Sequence, residues 1–231
     1  MEFTGKRALV TGGSEGIGRA VAQAFTERGA RVAIMARRRD LLEQTARELG
    51  AFAVPGDVSR EDDANRAVER TVAELGGLDI LVNNAAYGYF AALQEIDRTR
   101  FDALFAVNVT GAMLMARAAA PHFIRQKSGA LINISSTAGL KGFARGTPYA
   151  ATKFALRGMT ECWRDELRRH NVRVLLVNPS EVQTAFGGRT PGEADPRKLR
   201  AREVADAIVG ALLLDERGFV PELSIWATNP F

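Results

Sequence analysis

A tyrosine and a lysine stand four residues apart in the stretch YAATK, residues 149–153. In a helix, side chains at this spacing are neighbours on one face, so the Lys153 ammonium can lie near the Tyr149 phenol. A free tyrosine titrates near pH ~10, and a neighbouring positive charge favours the phenolate. The spacing therefore indicates a group that can give or take a proton near neutral pH. Alone, the same pair more often describes a packed tyrosine and a solvated lysine, so other motifs must support it.

A glycine-rich loop with the sequence TGGSEGIG occupies residues 11–18, between an apolar run and a helical pattern. Gly12 permits a tight turn, while Gly16 and Gly18 let the backbone approach a phosphate at the helix N-terminus. The spacing differs from the G-x-G-x-x-G fingerprint, but its place after the first strand is typical of dinucleotide binding. The candidate cofactor contacts in this loop are Gly12, Ser14, Glu15, Gly16, Ile17 and Gly18.

Three arginines, Arg37 to Arg39, follow the second apolar run. NAD-binding proteins usually place an acidic residue here to hold the ribose 2′-hydroxyl, whereas a guanidinium offers a planar fork for a 2′-phosphate. The sequence therefore favours NADP(H) over NAD(H), with Arg37 as the first contact and Arg38 beside it. The alternative is that the run is the solvated start of a helix.

Polar residues also follow the later apolar runs. Asp57, which precedes Val58, can accept a hydrogen bond from an adenine amino group or cap a helix. Asn84 suits either a cofactor contact or a structural tie between strand ends. Asn108 falls inside an apolar helical pattern, where a buried amide must have hydrogen-bond partners, whether structural or catalytic.

Length and composition describe one soluble domain. The chain has 231 residues, of which 46% are hydrophobic and 25% charged. The net charge of +4 is scattered without aromatic residues between the basic ones, which favours an anionic small molecule over nucleic acid. Cys162, His122 and His170 stand at no metal-ligand spacing, so neither a metal site nor a disulfide is expected.

The apolar runs themselves are short. We expect no membrane span, because no run is long enough to cross a bilayer, and the N-terminal sequence MEFTGKRALVTGG lacks the apolar core of a signal peptide. The expected location is the cytoplasm.

Apolar runs of strand length alternate with helical patterns from end to end. Runs that are apolar throughout are buried on both faces, so they predict a parallel sheet covered by helices. The rhythm predicts a doubly wound Rossmann-type α/β fold with a mostly parallel seven-stranded sheet and helices on both faces. The predicted strands are 7–11, 31–36, 51–54, 78–83, 130–135, 172–178 and about 220–227, with a last helix at about 201–216.

The segment 101–126 is apolar around most of its helical circumference. A helix of that kind is buried on more than one side. We therefore expect it to pack on the sheet and also against a partner subunit, in a homodimer or homotetramer.

Taken in order, these motifs resemble the short-chain dehydrogenase/reductase family over essentially the whole chain. The resemblance implies a single domain, with a cofactor-binding part at about 1–130 and a catalytic and substrate part at about 131–231. Ser136 lies thirteen positions before Tyr149, the spacing that the family uses. The matching segments are TGGSEGIG, Asp57-Val58, NNAA at 83–86, Asn108, Ser136, Tyr149, Lys153 and NPSEVQT at 178–184.

The resemblance also implies a role for each catalytic residue. Tyr149 is the general acid in carbonyl reduction and the base in alcohol oxidation, while Lys153 lowers the pKa of Tyr149 and holds the nicotinamide ribose. Ser136 binds the substrate oxygen, and Asn108 supports a water chain that connects Lys153 to solvent. The family pattern adds Pro179, Val182 and Thr184 to the cofactor contacts, besides Asp57, Val58, Asn84, Tyr149 and Lys153. One departure is Glu15, which stands where NADP-dependent members often have a basic residue.

Among relatives, the motif set looks most like the 3-oxoacyl-acyl-carrier-protein reductase group. The expected function is NADPH-dependent reduction of a ketone, an aldehyde or a β-keto thioester. The alternatives are an NAD-dependent alcohol or sugar dehydrogenase and, less in keeping with a retained proton donor, a dinucleotide-binding protein without turnover.

Two further sets of residues bear on the substrate. Basic side chains can attract an acidic acyl carrier protein or simply be solvated; they are Arg145, Arg189, Arg197 and Lys198. The segment 185–200 lies where the family has its substrate lid. The candidate substrate pocket consists of Tyr87, Tyr89, Ala138, Phe143, Ser180 and Phe186.

Overall fold

The computed structural model describes residues 2–184, 186, 195, 197–215 and 217–229. Seven of the nine described strands form one parallel sheet in the order β3-β2-β1-β4-β5-β6-β9, as the apolar runs predict. These strands are β1 Arg7–Thr11, β2 Arg31–Ala36, β3 Phe52–Pro55, β4 Ile80–Asn83, β5 Gly129–Ile134, β6 Val172–Pro179 and β9 Glu222–Ile225. The strand order reverses between β1 and β4, so the crevice beyond their carboxyl ends is the expected binding place.

Helices cover both faces of the sheet because successive strand residues point into two separate cores. Val10 belongs to the core under one helical layer, whereas its neighbour Leu9 belongs to the core under the other. The first layer contains α1 Gly16–Glu27, α2 Arg39–Leu49 and α7 Ala201–Leu212. The second contains α3 Glu61–Leu75, α5 Ala112–Gln126 and the C-terminal end of α6 Thr147–Leu167.

One helical stretch runs without a break from residue 98 to residue 126. It consists of α4 Arg98–Phe105, a π-helical segment Ala106–Gly111 and α5. The wide π turn, which the apolar pattern did not predict, surrounds Asn108, and such insertions often mark functional sites.

The same stretch bears on the expectation that no segment spans a membrane. Its length and composition would suffice to cross a membrane, because three helical segments join end to end. In this fold Leu114, Met115 and Phe123 are buried against the sheet, which accounts for part of that apolar character.

Element boundaries differ from the predictions mainly near the C-terminus. The last helix ends at Leu212 rather than near 216, and β9 is shorter at both ends than the run 220–227. The two-residue strands β7 Val182–Gln183 and β8 Leu199–Arg200 pair with each other and were not predicted, because two residues carry no periodic signal.

Two helical glycines should change the stability of the protein in opposite directions when each is replaced by alanine. A Cβ at Gly18 would collide with the Gly12 carbonyl oxygen and Asn84 Nδ2, whereas at Gly210 in α7 it would meet open space. Gly18→Ala should lower the free energy of unfolding by ~1–3 kcal/mol through overpacking. Gly210→Ala should raise it by ~0.5–1 kcal/mol through the lost entropy of glycine. Urea denaturation measures both, and equal shifts in the two variants would contradict this packing.

Candidate active site

Tyr149 and Lys153 lie on the buried face of α6, one turn apart, as the spacing predicts. Both residues are less than a tenth exposed, at 8% and 2%. The Lys153 Nζ lies 5.6 Å from the centre of the Tyr149 ring and donates a hydrogen bond of 2.9 Å to the carbonyl of Ile134, the last residue of β5. The pair therefore stands at the carboxyl edge of the sheet.

Burial controls the proton affinity of both groups. It raises the pKa of Tyr149 to about 12, and a hydrogen bond with Ser136 opposes that rise. It lowers the pKa of Lys153 to about 8. Desolvation dominates the pKa of Tyr149 in this structure, where the Lys153 ammonium is held on the Ile134 carbonyl, so the expected lowering of that pKa by Lys153 stays a prediction. At neutral pH Tyr149 is a protonated phenol, which is the form of a proton donor.

Ser136 stands beside Tyr149, immediately after β5. Its hydroxyl accepts a hydrogen bond of 3.1 Å from the backbone N–H of Ala138, which fixes the start of the short helix Thr137–Gly139. Ala138, which the sequence analysis assigned to the substrate pocket, is itself buried and supports Ser136. The neighbouring Ser135 donates to the Lys153 carbonyl at 3.4 Å, so both serines attach this strand exit to α6.

Asn108 joins the loop after β4 to helix α6. Its Oδ1 accepts from the Tyr87 N–H at 3.1 Å, and its Nδ2 donates to the Tyr87 carbonyl at 3.0 Å and to Thr152 Oγ1 at 3.2 Å. Thr152 also donates to the Tyr149 carbonyl at 2.7 Å. Sequence reasoning missed Thr152, whose only signal is its place between the two catalytic candidates.

The glycine loop forms a cradle of the kind that a pyrophosphate requires. Gly12 and Gly16 have positive φ angles of 64° and 56°, which side chains rarely tolerate. Asn84 Nδ2 donates to the carbonyls of Thr11 at 2.9 Å and Gly12 at 3.3 Å, so this amide holds the loop in place. The N-cap residue Glu15 makes no side-chain capping bond, which leaves the first N–H groups of α1 for an anion. These residues fit a dinucleotide.

Other predicted cofactor contacts flank that cradle. Ser14 is buried, and its carbonyl accepts from Thr45. Ile17 packs against the first core and Val58 lies in the second. Thr184 follows β7, and its methyl group lies 3.4 Å from where a Gly16 Cβ would be, so it borders the glycine loop. Val182 packs on the first core, and Pro179 ends β6.

The two arginines expected at a 2′-phosphate each stand beside a carboxylate. Arg38 forms an ion pair of 2.6 Å with Glu15, and Arg37 lies 3.8 Å from Asp57. The Arg37 side chain is 67% exposed, so it remains free to turn toward a ligand. Asp57 accepts from the N–H and the hydroxyl of Ser59 at 2.9 and 2.8 Å, which places it in a loop turn.

The neighbours of Tyr87 and Tyr89, two tyrosines assigned to the substrate pocket, are defined by the structure. Tyr87 lines a cavity of about 310 Å³ together with Arg37 and Asp57, so it belongs to the cofactor side. Burial raises the pKa of Tyr87, while the charge of Arg37 opposes that rise. Tyr89 is buried against Leu104, accepts from the Asp97 N–H at 2.8 Å and lies 4.1 Å beneath the Arg100 guanidinium. These contacts give no support to its prediction as a pocket residue, and loop aromatics carry no periodicity that tells their direction.

Two aromatic rings lie against the Tyr149 ring, and a third lies beside one of them. Phe186 lies 5.6 Å from the Tyr149 ring, and Phe90 lies 5.4 Å from it. Phe143 in turn lies 6.1 Å from Phe90. Sequence reasoning found Phe143 and Phe186 but missed Phe90, which follows the predicted tyrosines directly. Ser180 is tied to β9 by a hydrogen bond of 2.8 Å from its N–H to the Ile225 carbonyl.

The basic side chains expected to attract a carrier protein are paired within the chain where they are described. Arg145 pairs with Glu95 at 3.3 Å, Arg197 with Asp195 at 3.0 Å and Lys198 with Glu181 at 3.2 Å. Arg189 and most of the expected lid, 185–200, lie outside the described residues. Within the described ranges, no group of three or more His, Cys, Asp or Glu side chains is placed to hold a metal ion.

The comparison with protein families decides the assignment. A family model described as short chain dehydrogenase matches residues 6–193. The chain belongs to the short-chain dehydrogenase family. It is therefore an oxidoreductase that uses a nicotinamide dinucleotide cofactor.

Individual short-chain dehydrogenases resemble this chain over nearly its whole length. A sorbitol dehydrogenase from Cereibacter sphaeroides is 40% identical over 216 residues, which is 90% of this chain and 84% of the relative. An alcohol dehydrogenase from the archaeon Thermococcus sibiricus, solved with 5-hydroxy-NADP, has a TM-score of 0.91 at 30% identity and covers 96% of this chain and 97% of its own. A 3-ketoacyl-(acyl-carrier-protein) reductase from Brucella melitensis, solved with NADH, has a TM-score of 0.89 at 29% identity. The match covers 99% of this chain and 100% of the reductase.

The buried ammonium predicts an unusual pH dependence of stability. The folded state holds the pKa of Lys153 at about 8, while its ordinary value is 10.5, so the unfolded chain binds more protons between these values. The contribution of Lys153 to the free energy of unfolding therefore rises with pH in that interval. Relative to Lys153→Met, the wild-type protein should gain roughly 2 kcal/mol between about pH 8 and about pH 10.

Urea denaturation across that pH range measures the difference. Lys141→Met, which changes an exposed lysine, is the matched control and should show no such gain. A constant difference between wild type and Lys153→Met would mean that Lys153 is not desolvated.

Proposed function

We propose that this protein is an NADPH-dependent reductase that converts a carbonyl compound to an alcohol. The observation that carries the proposal is Tyr149, a buried and protonated phenol that is hydrogen-bonded to Ser136 at the carboxyl edge of the sheet. Reduction of a carbonyl needs a proton donor at the oxygen, and a tyrosine hydroxyl, which is protonated at neutral pH, can be that donor.

The side chains divide the work at the substrate oxygen. NADPH, when bound, would supply a hydride to the carbonyl carbon and would be oxidised to NADP⁺. Ser136 and Tyr149 donate hydrogen bonds to the oxygen, where negative charge develops, and Tyr149 passes its proton to it to complete the alcohol. The Lys153 ammonium then stabilises the phenolate that remains on Tyr149. Asn108 and Thr152 keep α6 in register with the loop after β4.

The preference for NADPH rests on the two arginines. Arg37 and Arg38 offer guanidinium groups where a 2′-phosphate would lie, and their partners Asp57 and Glu15 compete for them. Among the related structures, one was solved with 5-hydroxy-NADP and another with NADH. The arginines therefore favour NADPH binding to the extent that their guanidinium groups exchange these carboxylates for the 2′-phosphate.

The second candidate is an alcohol or sugar dehydrogenase that works with NAD⁺ in the oxidative direction. The 40% identity to a sorbitol dehydrogenase favours it, as does the pairing of both arginines with carboxylates. Oxidation would use the same Tyr149 oxygen as the base, so the two candidates differ in cofactor and direction and not in this residue.

The proposal includes self-association and a small-molecule substrate. Several side chains of the long helical stretch, such as Met113 and Ile124, are apolar and incompletely buried, which suits a homodimer or homotetramer. A free carbonyl compound suits the site better than an acyl carrier protein, because the described basic candidates already have acidic partners.

Removal of one oxygen atom tests the role of Tyr149. Tyr149→Phe keeps the ring contacts with Phe90 and Phe186 but loses the proton donor. We expect kcat for carbonyl reduction to fall by at least ~10²-fold, while the Kd for NADPH changes by less than about twofold because the hydroxyl alone is lost. Steady-state kinetics and calorimetric titration measure the two quantities. Retention of near-normal turnover would refute the general-acid role.

Removal of the charge on Glu15 tests the cofactor preference. Glu15→Gln frees Arg38 and should tighten NADPH binding by roughly threefold to tenfold with little effect on NADH. Arg37→Ala should weaken NADPH binding by roughly tenfold. Glu48→Gln, which removes the exposed partner of Arg19, is the matched control. Calorimetric titrations at one salt concentration compare the two cofactors, and equal effects on NADPH and NADH would exclude a 2′-phosphate site here.

A further inference from the structure

Three phenylalanines from three different loops gather at the reacting phenol. Phe90 follows β4, Phe143 follows β5 and Phe186 follows β7. The Phe90 ring lies 5.4 Å from the Tyr149 ring and is tilted against it, whereas the Phe186 ring lies 5.6 Å away and meets it edge-on. The Phe143 ring extends the group, at 6.1 Å from the Phe90 ring. We call these three residues the aromatic gate.

The aromatic gate is unusual because it is exposed. Phe90, Phe143 and Phe186 keep 43%, 51% and 37% of their surface accessible, although each could lower its free energy by burial. Large exposed apolar groups beside a reactive side chain mark a binding surface. The rings are therefore available to a substrate rather than needed by the core.

A glycine allows the gate to assemble. A Cβ at Gly88 would lie 2.8 Å from Phe90 Cε2 and 3.1 Å from Phe186 Cε1. Any larger residue would push one of these rings away. The backbone of the loop after β4 therefore supports the approach of Phe90 and Phe186 to Tyr149.

The chemistry of the gate restricts what can lie in it. Phenyl rings offer no hydrogen-bond partner to a hydroxyl group, so a polyol would lose hydration there without compensation. The nearby Arg145 is already paired with Glu95. Flat apolar groups, in contrast, gain burial and ring contacts.

We propose that the aromatic gate selects carbonyl compounds that carry a flat apolar group next to the C=O, such as aryl ketones, and that Phe90 is a specificity-determining residue. This inference rests on the proposed carbonyl reduction and names its substrate class. The reaction is the same transfer of hydride and proton, and its product is a secondary alcohol.

The test compares three ketones at saturating NADPH. Phenyl methyl ketone has a flat apolar group, cyclohexyl methyl ketone an apolar group that is not flat, and hydroxyacetone a polar group. We expect kcat/KM of the wild-type protein to be roughly 100-fold higher for phenyl methyl ketone than for hydroxyacetone, with the cyclohexyl compound between them. Equal or higher values for hydroxyacetone would overturn the inference and leave the proposed carbonyl reduction standing.

Two alanine variants test whether the aromatic gate causes the preference for phenyl methyl ketone. Phe90→Ala should lower kcat/KM for phenyl methyl ketone by roughly tenfold and leave hydroxyacetone within about twofold. Phe219→Ala is the matched control, because Phe219 is also partly exposed but precedes β9 at the opposite edge of the sheet. A uniform loss for all three ketones in Phe90→Ala would mean that Phe90 acts on the fold and not on specificity.

A binding experiment separates failure of this inference from failure of the proposed function. If the wild-type protein binds NADPH but reduces none of the three ketones, the proposed reduction fails. Saturation-transfer NMR then measures whether phenyl methyl ketone binds to the aromatic gate of the NADPH complex, independently of turnover. Transfer that is lost in Phe90→Ala supports the aromatic gate, and absence of transfer in the wild-type protein overturns it.

Discussion

A positive charge buried between β5 and α6 constrains the whole active site. The Lys153 ammonium is almost entirely removed from water and is stabilised by the carbonyl of Ile134. Because an unpaired buried charge is costly, α6 cannot slide or rotate without exposing or orphaning this group. The same helix face carries Tyr149 and Thr152, so this contact helps to fix where the proton donor stands, together with the hydrogen bond of Asn108 to Thr152.

Two asparagines extend that constraint to the cofactor side. Asn84 holds the glycine loop against the exit of β4, and Asn108 holds the next residues of the same loop against α6. The glycine cradle and the proton donor are thereby joined by side-chain amides that have few alternative partners. Chemistry that needs a hydride donor and a proton donor on one substrate benefits from such preorganisation.

The sequence predicted those parts of the molecule that depend on local pattern. Apolar runs reveal parallel strands because every residue of such a strand is buried, and a tyrosine four residues before a lysine reveals one helix face. Contacts between distant segments have no such signal. The pairing of Arg38 with Glu15, the direction of Tyr89 and the approach of Phe90 to Tyr149 each depend on how separate loops meet. The desolvation of Tyr149 and Lys153 also depends on the fold, because burial is not a local property of the sequence.

The protonation state of Tyr149 tests the central claim most directly. The chain has three tyrosines, so ¹³C labelling at the tyrosine Cζ gives three NMR signals, and the Tyr149→Phe variant assigns the one of interest. A pH titration of the cofactor-free protein follows its ionisation. We predict that Tyr149 remains a neutral phenol beyond pH ~10, the ordinary tyrosine value, because burial raises its pKa to about 12. Ionisation at or below the ordinary value would contradict the burial of the Tyr149 hydroxyl in this site.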